Sequence, residues 1–308
     1  MRVLVTGGAG FIGSHVVEKL LEQGNQVYVF DLPVTADRVA PSGAIFIPGS
    51  ILDLESLRVA LIGMDAVYHL AAIADVKDVF EDPYYSESIN VRGTLNVLEA
   101  ARRSELSRVI YGSTTWVYSE SDPDEVDEDT PLRAPTHLYT ATKLTSEYYC
   151  NSYDKLYGLP TTILRYGIPY GPRARDAAVI PSFVAKALKG EPLTIAGDGA
   201  QFRQFVYVED LAEGNVLALD PVAKSRIYNL DGAEKITIRR VAETIQGIIG
   251  DVDIQYTEGR PGDFGGKVGI SRRAKEELGW EPKVSFEEGV RRYIEWFKQR
   301  EQQRSKDQ

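Results

Sequence analysis

Tyr139 and Lys143 stand four apart in a stretch that reads as helix, so both side chains project from one face. A phenol titrates near pKa ~10 in water, too high for a base at neutral pH. A neighbouring ammonium favours phenolate and brings the group toward working range, and it can also hold a cofactor ribose hydroxyl. The same spacing is common on helix surfaces, so the pair takes its meaning from its neighbours. Ser113 and Thr114 sit just past the apolar run Val109–Tyr111, at the carboxyl end of an expected strand. A hydroxyl there can share a proton with a substrate oxygen beside the tyrosine.

A second constellation opens the chain. The run Arg2-Val3-Leu4-Val5-Thr6 leads into Gly7, Gly10 and Gly13, and an amphipathic segment follows at once (Val16, Val17, Leu20, Leu21). Strand, tight turn and helix in that order suit a pyrophosphate: the glycines let the backbone turn sharply, approach the phosphates and pack the helix on its strand. The helix start adds unpaired N–H groups and partial positive charge. A further strand, Gln26 to Phe30, ends on Asp31, 18 residues past Gly13. An acid there can bind two adenosine-ribose hydroxyls and repels a 2′-phosphate, which selects NAD over NADP; the plainer alternative is a loop cap.

These residues need a scaffold that presents strand ends. Strands are expected at Ala44–Ile47, Ala66–Leu70, Val109–Tyr111 and Thr161–Leu164, with helices near Leu54–Leu61, Tyr84–Arg103 and Leu138–Tyr157. Such alternation predicts an α/β fold, a Rossmann-type doubly wound parallel sheet with its ligands at the carboxyl ends of the strands. Gly167, Pro169, Gly171 and Pro172 break the pattern and divide an NAD-binding domain, 1–168, from a smaller C-terminal α/β substrate-binding domain, 169–308. Segments near 203–230 are expected to return to the first. The second part should hold a helix near Ile180–Lys189, a turn at Gly197-Asp198-Gly199, a strand near Phe205–Val208 and helices near Leu211–Leu219 and Phe286–Phe297. The polar tail from Lys298 is expected to fray.

Composition bounds the partners. The 308 residues are 43% hydrophobic with a net charge of −10, which argues against nucleic acid or an anionic membrane. No apolar run is long enough to span a bilayer, and a strand beginning at residue 2 leaves no room for a signal peptide. The single cysteine, Cys150, points to a reducing, cytoplasmic setting. His15, His69, His137 and Cys150 form no ligand spacing, so no metal is expected.

Thr6-Gly7-x-x-Gly10-x-x-Gly13, His69-Leu70-Ala71-Ala72, Asn90-Val91-x-Gly93-Thr94, Ser113-Thr114-x-x-Val117-Tyr118 and Tyr139-x-x-x-Lys143 resemble the extended short-chain dehydrogenase/reductase family. Within it the chain is similar to the nucleotide-sugar epimerase/dehydratase branch, especially UDP-glucose 4-epimerases. Leu164-Arg165-Tyr166, Gly197-Asp198-Gly199, Arg203-x-Phe205-Val206-Tyr207-Val208-x-Asp210 and Arg260-Pro261-Gly262-Asp263 continue the likeness, which runs collinearly to about residue 297. The resemblance implies Thr114, Tyr139 and Lys143 as catalytic residues. It implies NAD contacts from Gly7, Gly10, Phe11, Ile12 and Gly13, from Asp31, Ser50 and Ile51, from Leu70, Ala71 and Ala72, and from Asn90, Ser113, Tyr139, Lys143 and Tyr166. For a nucleotide-diphosphate sugar it implies Thr114, Arg203, Arg260 and Asp263, which suits guanidinium forks on phosphate oxygens and an acid on ribose hydroxyls. A homodimer through helices 84–103 and 138–157 is implied as well.

Departures bear on the substrate. Ser50 stands where related enzymes usually carry Asp against the adenine edge, and Ile168 and Ala178 replace asparagines that help hold the nucleotide-sugar. Trp116 beside a sugar pocket is unusual, and stacking and core packing both fit it. The run Thr114-Thr115-Trp116 lacks the acid of the Thr-Asp-Glu run found in dehydratases. Elimination of water then lacks its proton carriers, whereas Thr, Tyr and Lys suffice for transient oxidation. The expected reaction is inversion at C4 of a UDP-hexose through a 4-keto intermediate. A nucleotide-sugar dehydrogenase, ketoreductase or 4,6-dehydratase-like enzyme is the alternative, and a non-catalytic NAD-binding protein the remote one.

Overall fold

A computed structural model describes residues 1–33, 40–250, 252–258 and 266–306. Its main sheet has seven strands, all parallel. From one edge to the other they are Arg226–Leu230, Thr161–Tyr166, Arg108–Thr114, Ala66–His69, Arg2–Thr6, Gln26–Asp31 and Ile45–Pro48. The chain winds outward from Arg2–Thr6 to one edge and then resumes on its other side with Ala66–His69. The winding order therefore reverses beside Thr6, which splits the connections apart and opens a crevice for ligand there.

Alternation along the strands builds both faces. Val3 and Val5 point to one core with Val16, Val17 and Leu20 of helix Phe11–Glu22, while Leu4 points to the other with Leu57, Val97 and Leu98. All of these are buried. Trp280 closes the first core from the C-terminal part of the chain, its indole N–H donating to the Asp210 carbonyl at 2.8 Å. A third core, around Tyr170, Phe183, Phe205, Ile245 and Tyr293, supports the smaller lobe.

Of the stretch 203–230, Arg226–Leu230 pairs with Thr161–Tyr166 at the edge of the main sheet. Strand Phe202–Tyr207 instead joins a three-stranded sheet with Ile168–Tyr170 and Lys235–Thr237. Two expectations are corrected. The helix expected over Tyr84–Arg103 is broken into Pro83–Glu87, a π turn at Ser88–Arg92 and Gly93–Arg103. The wide turn frees the Asn90 carbonyl to accept from both Thr94 Oγ1 (2.5 Å) and Ser146 Oγ (2.8 Å). The final helix does not fray at Lys298 but runs Phe286–Lys306. Arg300 lies over the rings of Trp296 and Phe297 and pairs with Asp176 at 3.2 Å, which anchors the extra turns. Among the described residues no helix is long and apolar enough to cross a membrane.

Candidate active site

The glycine turn is a cradle that side chains would fill. Gly7 has φ +71°, and a Cβ there would stand 2.6 Å from the Ala71 amide nitrogen; one on Gly13 would stand 2.1 Å from the Gly7 carbonyl. No side chain caps the helix that starts at Phe11, and its first turn holds no acid. Helix Leu54–Ala60, by contrast, is capped by Asp53. Gly10 N–H is held by the Gly7 carbonyl at 3.0 Å, and the bare start at Phe11, Ile12 and Gly13 leaves amide donors and positive dipole for a diphosphate, so this site fits a dinucleotide.

Asp31 ends its strand beside this turn. One carboxylate oxygen accepts from the Ala9 amide at 3.0 Å and the other from the Leu32 amide at 2.8 Å. The acid is thus bound to the turn itself, with lone pairs left over for ribose hydroxyls. Ser50 Oγ accepts from the Leu52 amide at 3.2 Å. Ile51 differs from expectation: its side chain is buried core beneath Gly93, and Asn96 holds its carbonyl at 3.0 Å.

A relay of buried groups places Leu70, Ala71 and Ala72. Thr94 Oγ1 donates to the Asn90 carbonyl, so it accepts from His69 Nε2 at 3.0 Å, and His69 Nδ1 then accepts from Thr6 Oγ1 at 2.8 Å. Burial, reinforced by the Lys143 charge, lowers His69 to about 3, so the ring is neutral and this one tautomer satisfies every partner. Thr6 Oγ1 in turn accepts from the Ala71 amide at 3.4 Å. Asn90 grips Ile73 from both sides, taking its N–H at 2.8 Å and donating to its carbonyl at 2.9 Å. Its amide also donates to Thr142 Oγ1 at 3.0 Å, so its side chain holds the loop and helix Leu138–Tyr157 together.

Thr114, Tyr139 and Lys143 converge at the carboxyl end of strand Arg108–Thr114. Thr114 Oγ1 accepts from the Trp116 amide at 3.2 Å, which leaves its proton for the Tyr139 oxygen, and that hydrogen bond favours phenolate. The expectation that Lys143 activates the phenol directly is corrected. Lys143 Nζ donates to the Gly112 carbonyl at 2.8 Å and stands 5.0 Å above the Tyr111 ring. Burial pushes Tyr139 up to about 12, and the charge that opposes this comes from Arg175. Lys143 itself is lowered to about 8 by burial, so it carries its charge at neutral pH.

Two expected contacts turn inward. Ser113 Oγ donates to Glu147 Oε1 at 2.6 Å instead of lying beside the tyrosine. Tyr166 is buried, and its hydroxyl donates to Asn215 Oδ1 at 2.6 Å, so that side chain is core. Sequence reasoning also missed a buried network. Glu147 pairs with Arg165 at 2.7 Å, Arg165 donates to the Tyr118 hydroxyl at 2.6 Å, and Tyr118 donates to Asn229 Oδ1 at 2.9 Å. It ties helix Leu138–Tyr157 to three strands. The available signal was spacing: Tyr139, Lys143 and Glu147 follow at i, i+4 and i+8.

Arg203, Trp116 and Ile168 line one cavity with Asp231 and Lys267. Arg203 also donates to the Phe202 carbonyl at 2.7 Å. Trp116 stands with its ring 5.8 Å from that of His137, at the start of helix Leu138–Tyr157. Ala178 precedes helix Val179–Leu188 as its cap residue. Arg260 and Asp263 lie outside the described residues. Among the described residues no cluster of His, Cys, Asp or Glu could hold a metal.

The glycine cradle, the acid after the second strand and the Thr–Tyr–Lys set coincide with a match to the NAD dependent epimerase/dehydratase family model over residues 3–231. The chain belongs to that family. Its cofactor is NAD. The UDP-glucose 4-epimerase of Thermus thermophilus, solved in complex with NAD, is 37% identical, with 97% of this chain and 99% of that one covered at a TM-score of 0.88. The UDP-glucose 4-epimerase of Thermotoga maritima, solved with UDP-glucose, is 34% identical with coverage of 97% and 99% and a TM-score of 0.92. A UDP-N-acetyl-alpha-D-glucosaminuronate decarboxylase of Bacillus cytotoxicus is 36% identical over 97% of this chain and 98% of its own length. Relatives at equal distance thus carry different reactions, and the site must decide between them.

Proposed function

We propose that this protein is an NAD-dependent epimerase that inverts C4 of a UDP-hexose through a transient 4-keto sugar. The observation that carries this reading is what surrounds the Tyr139 oxygen. The groups acting on it are Thr114 and Arg175, a hydroxyl and a cation, and the run Thr114-Thr115-Trp116 holds no acid. Such a set moves one proton on one oxygen and stops there. Dehydration needs a second proton carrier to expel water, and none is supplied by that run. The nearest buried carboxylate on the same helix, Glu147, is occupied by Arg165 and Ser113.

Bound NAD supplies an acceptor and returning donor of hydride, together with the positive charge of its oxidised ring. The residues supply the rest. Arg175, with the Thr114 hydroxyl, favours the phenolate of Tyr139, which takes the proton of the sugar hydroxyl. Thr114 holds the phenolate oxygen in line by a hydrogen bond. After the ketone turns its other face, Tyr139 returns the proton, so no net oxidation results. Asp31 on the turn and the bare helix start retain the cofactor between cycles. Arg203, with Arg260 and Asp263, binds the nucleoside diphosphate.

A homodimer is part of this reading. Phe80, Tyr84, Tyr148, Leu156 and Tyr157 are exposed on segment 76–103 and helix 138–157, an apolar face suited to a four-helix interface. Native mass spectrometry for co-purified NAD, followed by UDP-, GDP- and dTDP-sugars offered in turn, tests the proposal. Stabilisation and turnover with UDP-sugars support it, and indifference to all three nucleotides overturns it.

A further inference from the structure

Asp231 is 3% exposed, and its Oδ2 has no hydrogen-bond partner among the described residues. Buried carboxyl oxygens in that condition are rare and costly, so the position calls for a physical reason. Its surroundings are made to receive it. A Cβ on Gly269 would stand 1.8 Å from Oδ2, and one on Gly167 would stand 2.4 Å from Oδ1, so only glycines on both sides leave room. The Asp231 amide is fixed by Ser271 Oγ at 3.0 Å. The carboxyl lines a cavity of about 30 Å³ shared with Thr115, Trp116, Ile168, Arg203 and Lys267.

That cavity adjoins the reacting centre, because Thr115 and Trp116 follow Thr114 directly. Resting on the nucleotide-sugar reading above, we infer that Asp231 is a specificity-determining residue whose carboxyl hydrogen-bonds a ring hydroxyl or hydroxymethyl group of the bound sugar. Chemistry supports a hydroxyl. Burial, reinforced by the negative charge of Glu128, raises the carboxyl to about 8, so at neutral pH it is an uncharged acid that both donates and accepts. Arg203 and Lys267 line the same cavity, Arg203 donating to the Phe202 carbonyl and Lys267 pairing with Asp124. A hydroxyl likewise donates and accepts, whereas an ionised Asp231 would compete with a diphosphate for Arg203.

The test is calorimetric binding to the NAD-loaded protein of UDP, UDP-glucose and its 2-, 3- and 6-deoxy analogues. One deoxy analogue should bind the wild type about 10-fold more weakly than UDP-glucose, while UDP binds D231L and wild type alike. D231L should lose that discrimination by weakening UDP-glucose to the level of the analogue, and D231N, a neutral donor and acceptor of the same shape, should restore it. A wild type that separates no deoxy analogue by more than about twofold overturns the inference even if neither variant folds. Failure of UDP itself to bind the wild type would instead remove the nucleotide-sugar reading and this inference with it.

Discussion

Lys143 follows Tyr139 by one helical turn, yet its ammonium donates to the Gly112 carbonyl at 2.8 Å and not to the phenol. The lysine is thereby held at the end of strand Arg108–Thr114, a fixed positive charge above the Tyr111 ring that also acts on His69. Direct proton exchange between the two residues is not the arrangement this structure shows.

In the proposed reaction Tyr139 carries the substrate proton, and Tyr139→Phe removes that group and leaves the helix intact. Turnover should fall roughly 10²- to 10⁴-fold, the usual worth of a positioned proton carrier, with NAD content unchanged. Activity near wild type would take the proton from this residue.

Lys143→Met should act on both cofactor and chemistry, since it removes the charge and the tie to Gly112. We expect weaker NAD retention and a loss of turnover, and Lys143→Arg should not restore them, because a planar fork cannot occupy the same buried point. Titration of bound NAD and single-turnover rates check both parts.

Glu147→Gln breaks a buried ion pair with both partners almost fully enclosed. Leaving Arg165 uncompensated should cost about 3–5 kcal/mol. The urea midpoint measures it, and a loss below about 1 kcal/mol would mean that the Ser113–Glu147–Arg165–Tyr118 network does not hold the catalytic helix.

His69 gives a pH dependence with a definite sign. Burial lowers it from 6.5 to about 3 in the folded protein, so between those values the unfolded chain binds a proton that the native one does not. Stability contributed by the neutral ring is complete above about 6.5 and is lost as pH falls toward 3. Between those limits the wild type should take up about one more proton on unfolding than His69→Gln. Equal pH slopes for the two proteins would contradict the buried neutral tautomer.

The scaffold was legible because period carries it. Alternating apolar strands such as Arg2–Thr6 and the 3.6-residue pattern of Leu138–Tyr157 depend on local geometry, and the glycine turn announces itself by spacing. The π turn at Ser88–Arg92 was not legible, since it serves hydrogen bonds to Thr94 and Ser146 rather than any local preference. Arg175 acts on Tyr139 from a loop with no periodicity, and Asp231 becomes singular only when Gly167 and Gly269 close around it. Ser113 and Tyr166 stood at the right strand ends, but side-chain direction there is decided by Glu147 and Asn215, which are far away in sequence.

Epimerisation at C4 without net oxidation is the central claim, and one measurement addresses it directly. The purified protein is incubated with UDP-glucose in D₂O while proton NMR follows the sugar and absorbance follows reduced cofactor. The account predicts UDP-galactose that retains hydrogen at C4, with no build-up of NADH, because the hydride never meets solvent. Accumulating NADH with an oxidised sugar, or loss of water to a 4-keto-6-deoxy product, would contradict it.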